Sequence, residues 1–351
     1  MLKEDFVMQV KNVLDLTSYK RKANAVVDKQ FTGEDGEVFR DKKTYKSIQR
    51  AVDSADSIGN QPFVIYIKKG IYYEKLDINK PSITLVGEDR DETVVTYDVA
   101  SGSKRLDGST YGTFGSSSVT VWSENFSAMN VTFENAFDYL SEVSKSEDDH
   151  SKVKNVQAVA FRTAESSNQT QLKQCRFRSY QDTLLTDKGT HFIEDCIIEG
   201  AVDFIFGGGQ AVFENCTIIS LDRGSEKNNG YITAASTLIT QPYGFLFANC
   251  KLVKETDDMA DQSVYLGRPW HPGGNPDAQG NVLFKNCDLG SHIKAEGWAQ
   301  MSGFSPMDAR LYEYGSKGAG AIDNKIRRKL SEREVEEYTI ENVLGHRLFW
   351  N

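Results

Sequence analysis

Phe213-Glu214-Asn215-Cys216-Thr217-Ile218 sets an apolar residue, any residue, an amide or aspartate, a cysteine, any residue and a second apolar residue in a row. The same six-residue pattern recurs as Leu172-Lys173-Gln174-Cys175-Arg176-Phe177 and Ile193-Glu194-Asp195-Cys196-Ile197-Ile198. It returns as Phe247-Ala248-Asn249-Cys250-Lys251-Leu252 and Phe284-Lys285-Asn286-Cys287-Asp288-Leu289, and Phe126 to Val131 repeats it with Met129 in the cysteine's place. The cysteines fall 21, 20, 34 and 37 residues apart. Two short gaps and two longer ones describe coils of about 20 residues, some carrying inserted loops. Period-two alternation and a β-branched and aromatic content make these segments strands. A strand that recurs once per coil stacks parallel on the next, about 4.8 Å away. The expected fold is all-β, a right-handed parallel β-helix with short capping helices at its ends and the ladder residues in its core.

Residues 1–351 read as a single catalytic domain, with 1–34 a segment of undefined packing. Tyr45, Ile48, Val52 and Ala55 stand at helical spacing, so a helix over 44–55 is expected to seal the first coil. Ser331-Glu332-Arg333-Glu334 is a capping-box pattern, predicting a C-terminal capping helix over 331–345 that stops at Gly345. Such ends shield solenoid edges from pairing with other chains.

Composition narrows the partners. The formal net charge is −9 and no long basic block occurs, which argues against nucleic acid. A polyanion gains no steering from that charge, whereas a polymer whose acids are capped as esters is repelled less. No run of about 18 apolar residues is present, so no membrane span is expected. The first 29 residues carry no apolar signal core. Either the protein stays in the cytoplasm or a leader has been removed. Five cysteines are an odd number and do not read as a disulfide framework. Small apolar packing explains them, although stacked coils also bring Cys196 and Cys216 within reach of a bridge in an oxidising compartment. Without a CxxC pair or a dense aspartate cluster, no metal and no cofactor is expected. Four N-x-[ST] sequons begin at Asn125, Asn130, Asn168 and Asn215; because Asn215 falls in the ladder, no glycosylation is read from them.

The ladder also serves as a ruler. Asp182 lies seven residues after Cys175, and Asp203 lies seven after Cys196. Both therefore occupy one place on consecutive coils, with backbones about 5 Å apart. Their neighbours, Tyr180-Gln181-Asp182-Thr183-Leu184-Leu185 and Ala201-Val202-Asp203-Phe204-Ile205-Phe206, are mostly uncharged. Two carboxylates stacked beside apolar side chains cannot both ionise cheaply, so one is expected to keep its proton. An acid beside a carboxylate is an acid–nucleophile pair. Gln157 and Gln181 can donate amide hydrogens to a developing oxyanion, and Arg268 can hold one aspartate ionised through a two-pronged contact. The bland reading is an aspartate ladder that merely caps turns.

Gly70-Ile71-Tyr72-Tyr73-Glu74, Gln157-Ala158-Val159-Ala160, Gln181-Asp182-Thr183-Leu184, Asp203-Phe204-Ile205-Phe206-Gly207 and Leu266-Gly267-Arg268-Pro269-Trp270 stand in this order along the chain. Together they resemble the signature set of the pectin methylesterases (pectinesterases, carbohydrate esterase family 8), over roughly residues 35–345. Tyr111-Gly112-Thr113, Gly297-Trp298-Ala299-Gln300-Met301-Ser302 and Tyr312-Glu313-Tyr314 are most similar to the bacterial branch. The resemblance implies that Asp203 attacks the ester carbonyl of a methylated galacturonate. Asp182 then protonates the departing methanol and later activates water. It implies that Gln181 and Gln157 receive the oxyanion, that Arg268 orients Asp203, that Phe206 and Trp270 stack on sugar rings, and that Thr113 and Met301 line subsites. The implied substrate is methylated homogalacturonan, acted on by a monomer that is secreted or periplasmic. The sequence departs from the family in its loops, where 137–156 is long and charged.

Two rivals follow from the same residues. A glycoside hydrolase on this scaffold would also use carboxylates about 5 Å apart. A non-catalytic carbohydrate-binding β-helix would keep Trp270 and Phe206 but have no use for stacked aspartates. His150, His191, His271, His292 and His346 are scattered and read as surface or structural, with His271 close enough to the Arg268 segment to meet substrate. There is no G-x-S-x-G elbow, and Gly207-Gly208-Gly209 reads as a turn between coils.

Overall fold

The computed structural model describes residues 16–56 and 61–345. Three long sheets of 12, 8 and 7 strands run side by side. Each coil gives one strand to each sheet in turn, as Thr190–Glu194, Ile197–Gly200 and Val202–Gly207 do. The strands pair parallel from coil to coil, apart from the hairpin of Glu37–Phe39 on Lys42–Tyr45 at the start. Such parallel crossovers close in the right-handed sense. The fold is the right-handed parallel β-helix the ladder implied.

Register follows the arithmetic of the sequence. Leu172 pairs with Ile193, Ile193 with Phe213, Phe213 with Phe247 and Phe247 with Phe284. Their rings stack, Phe213 on Phe247 at 4.3 Å and Phe247 on Phe284 at 4.5 Å between centroids. These residues, the five cysteines and the apolar residue after each belong to one buried core. The thiols are all free, so Cys196 and Cys216 form no bridge. Cys196 Sγ instead donates to the Glu194 carbonyl at 3.2 Å, and burial pushes the Cys196, Cys216 and Cys250 thiols up. They pack as small apolar groups.

The amide or aspartate of the pattern has a job of its own. Gln174, Asp195, Asn215, Asn249 and Asn286 all have φ between 52° and 56°, the left-handed region in which side chains of this kind are favoured. Each turns the chain from the first sheet into the second. This corner corrects two readings. Ala128 pairs with Leu172 and Thr132 with Arg176, so Asn130 matches Gln174 and Val131, not Met129, takes the cysteine's place. Met129 lies on the sheet's outer face with Val86 and Tyr66. Asn215 is likewise exposed at its corner, so ladder membership gives no ground for excluding it as a sequon.

The terminal helices also differ from expectation. The first spans only Ile48–Asp53, because Tyr45 finishes the strand Lys42–Tyr45. It rests against the first strands, as a cap should. Glu74 holds its start from the next coil, accepting from the Ile48 amide at 2.9 Å and the Gln49 amide at 3.1 Å. At the other end, the Ser331–Glu334 capping box opens a single turn, Glu332–Val335, and a separate helix Ile340–Leu344 ends at Gly345 with φ 66°. These pack on the outer face of the large sheet over Val212, Leu246 and Leu283 instead of across the solenoid's end. Apolar residues on that face, outside the core ladder, need the cover. The loop 137–156 contains a helix, Tyr139–Ser144, whose Tyr139 ring stacks on Tyr180 at 5.1 Å.

Candidate active site

Asp182 stands at the corner before strand Leu184–Thr186, and Asp203 lies within strand Val202–Gly207 one coil on. Leu184 pairs with Ile205, so the two aspartates are in register. Both take left-handed backbone, φ 64° and 50°, which breaks the alternation and turns their carboxylates out of the core. They are nonetheless buried, at 7 % and 6 % exposure. Arg268 arrives from two coils further. Its Nε donates to Asp203 Oδ1 at 2.8 Å and its Nη2 to Oδ2 at 2.6 Å. Behind it the guanidinium lies 3.8 Å over the Tyr231 ring, which stacks on Tyr265. The chain can deliver Arg268 there only because residue 267 is glycine: a Cβ would sit 1.9 Å from Thr233 Oγ1.

Electrostatics separates the two carboxyls. Burial raises both. Asp182 is pushed well above the ordinary aspartate range by burial and then by the charge of Asp203, with Arg268 opposing weakly from a distance. Asp203 is raised by burial but opposed by its direct hydrogen bonds and charge contact with Arg268, and by Arg223. A single proton shared between them therefore rests on Asp182, leaving Asp203 as the carboxylate.

All nine residues singled out in the sequence line one cleft of about 600 Å³: Asp182, Asp203, Gln157, Gln181 and Arg268, with Phe206, Trp270, Thr113 and Met301. Gln157 and Gln181 sit on neighbouring coils, the Ala158 amide donating to the Gln181 carbonyl at 3.0 Å. The side-chain oxygen of Gln157 is buried without a partner, so this amide is not committed to holding the fold. Phe206 and Trp270 meet at 5.6 Å between ring centroids. The arrangement can deliver a nucleophilic carboxylate, a proton and amide donors to one carbonyl carbon.

Several contributors had no role assigned from sequence. Tyr111, Gly112, Phe114 and Gly115 make one wall with Thr113, and Ala234 completes the floor. The Tyr111-Gly112-Thr113 segment was the available signal for that wall. Tyr231 had none, since its part is only to back Arg268. His271, next to the cleft residue Trp270, stacks on Phe304 at 3.6 Å and is not among the residues lining the cleft. Burial pushes His191 and His292 down to about 4, fitting structural roles. His346 lies outside the described residues. A second crease, between the 137–156 loop and the second sheet, has its charges satisfied internally, Arg178 on Glu134 and Arg176 on Glu199.

Comparison with known proteins points one way. The family model described as Pectinesterase matches residues 37–346. Pectinesterase A of Dickeya chrysanthemi is 41 % identical over 342 residues, covering 92 % of this chain and 90 % of the relative. A solved pectin methylesterase from Erwinia chrysanthemi superposes with a TM-score of 0.87 at 40 % identity, over 93 % of this chain and 98 % of its own. A pectin methylesterase solved in complex with a hexasaccharide matches equally well, with TM-score 0.87, 40 % identity and the same coverage of both chains.

Proposed function

This chain belongs to the pectinesterase family, and we propose that it hydrolyses the methyl esters of galacturonate in pectin through the aspartate pair, with Asp203 as nucleophile. The observation that carries the reading is the two-pronged grip of Arg268 on Asp203 beside an Asp182 that lacks such a grip. An Asp203 oxygen attacks the ester carbonyl, and the carbonyl π electrons move onto its oxygen. The side-chain amides of Gln181 and Gln157 receive that charge. As the tetrahedral centre collapses, the bond to the methoxy oxygen breaks and Asp182 gives that oxygen its proton, so methanol leaves. An acyl-enzyme through Asp203 remains. Asp182, now a carboxylate, takes a proton from water, whose oxygen attacks the acyl carbon and frees Asp203. The products are methanol and a galacturonic acid, which ionises by releasing water's second proton to solvent, and Asp182 is protonated again.

Phe206 and Trp270 offer stacking faces to the sugar rings, and Thr113 and Met301 line the flanking positions. All these groups come from one chain, so a monomer suffices. The methylated polymer also suits a protein of net charge −9, because its esters are neutral.

Incubation with highly methylated pectin is expected to release methanol in step with new carboxyl groups, without new reducing ends. Reducing ends without methanol would instead favour glycoside hydrolysis, the rival that paired carboxylates also permit. Arg268→Lys tests the grip itself. Lysine keeps the charge but loses the planar fork. Methanol kinetics should show kcat about 10²-fold lower, as a misaligned nucleophile implies, with KM little changed; an unchanged kcat would remove the fork from the mechanism.

A further inference from the structure

We infer that Lys75 is a positioning residue for substrate binding: its ammonium pins the 111–117 segment, one wall of the catalytic cleft, against the second coil. The inference rests on the cleft being the pectin site. Five of the residues facing that cleft, Tyr111 through Gly115, come from this one stretch. Its helix, Gly112–Gly115, is four residues long and has no side-chain N-cap. One turn of helix does not hold itself in water, so its place must come from tertiary anchors. Lys75 supplies one at the helix's end. Its Nζ donates to the Gly115 carbonyl at 2.9 Å and also to the Ser117 carbonyl, two acceptors that the last turn leaves open.

The base of the lysine is itself fixed. The Glu74 amide donates to Thr96 O at 3.1 Å, and the Leu76 amide to Ser118 O at 2.8 Å. The ammonium passes between two aromatic rings, 5.5 Å from the Tyr97 centroid and 5.7 Å from that of Tyr111. Arg105 lies over Tyr111 at 4.5 Å. The charged and titratable groups facing Lys75 are thus Asp77 from its own coil, Tyr97 from the next, and Arg105 and Tyr111 from the wall. None of its direct hydrogen-bond partners is a carboxylate. Burial brings the ammonium down to about 8, with Asp77 opposing and Arg105 adding to the fall. Above that pH the two charge-assisted bonds become neutral ones, roughly half as strong, and the attraction to the rings is lost.

Steady-state methanol release from methylated pectin, corrected for alkaline saponification, tests the pin. Wild type should show KM rising as pH passes about 8, with kcat changing less. Lys75→Met should raise KM about five- to tenfold at neutral pH, keep kcat within about twofold and abolish the alkaline rise, a pattern of lost uniform binding. Lys75→Arg, which stays charged throughout, should recover most of the affinity and make KM flat across the same range. Thermal melts run alongside separate folding from binding. A methionine variant that melts as wild type and binds with wild-type KM overturns the inference. So does an arginine variant that keeps the alkaline rise. Either result leaves the esterase reading intact, since methanol release by wild type tests that reading independently.

Discussion

Replacing Asp203 with asparagine is expected to lower kcat for methanol release about 10⁴-fold or more, the scale seen when a nucleophile is removed from a set of groups acting together. Asparagine is the informative choice. Residue 203 has φ 50°, which asparagine tolerates and alanine does not, so the backbone and the neighbouring strand should stay in place. The amide oxygen can still accept one hydrogen bond from Arg268, but an amide does not attack an ester. Phe206, Trp270, Thr113 and Met301 are untouched, so methylated pectin should still bind. Calorimetric titration with a methylated oligogalacturonide, run beside the methanol assay, checks both halves. A variant turning over near the wild-type rate would remove Asp203 from the chemistry.

Asp182→Asn should have the second largest effect, about 10²- to 10⁴-fold on kcat, the range for loss of a general acid–base group. It also carries a pH signature. In the proposed mechanism the active form has Asp182 protonated and Asp203 ionised. The rate should therefore fall as pH rises through the elevated Asp182 value and fall again in acid, when Asp203 protonates. The residual rate of the asparagine variant should lack the alkaline limb assigned to Asp182. Stability should move the opposite way from activity. A carboxyl whose folded pKa lies above its unfolded value contributes stability that is full below the unfolded pKa and lost as pH rises through the folded one. Buried Asp182 is such a group, so the wild-type fold bears the cost of two adjacent acids at neutral pH. The variant should melt higher than wild type at pH 7, and the gap should close below the ordinary aspartate range. A gap independent of pH would mean that burial and Asp203 do not raise the Asp182 carboxyl.

The methionine slip and the helix ends show where reading by pattern lost its hold. Met129 has the apolar character of the ladder position, yet Ala128 before it is no amide, and strand pairing places Met129 on the outer face of the sheet. The left-handed corner falls at Asn130, so the template runs from Ala128 to Phe133 and starting it at Phe126 puts Met129 on the wrong face. Tyr45 does pack with Ile48, Val52 and Ala55, but from a strand, since burial against one core does not require one helix. The Ser331 capping box forms as its residues dictate, while the packing of the following helix depends on which outer face lacks cover.

What the sequence determined alone was the coil, the register and the meeting of Asp182 with Asp203. In a solenoid, residues one period apart in the chain are neighbours in space, so spacing from Cys175 and Cys196 is already a contact map. The tertiary structure decided which aspartate keeps the proton, because that depends on Arg268 reaching Asp203 from two coils away through an inserted loop of no fixed period. It also decided the wall at 111–115 and its anchor at Lys75, two segments that no repeat relates. Local periodicity brings the pair of acids together; long-range charge and burial make them unequal, and the proposed mechanism uses that inequality to let one attack while the other protonates.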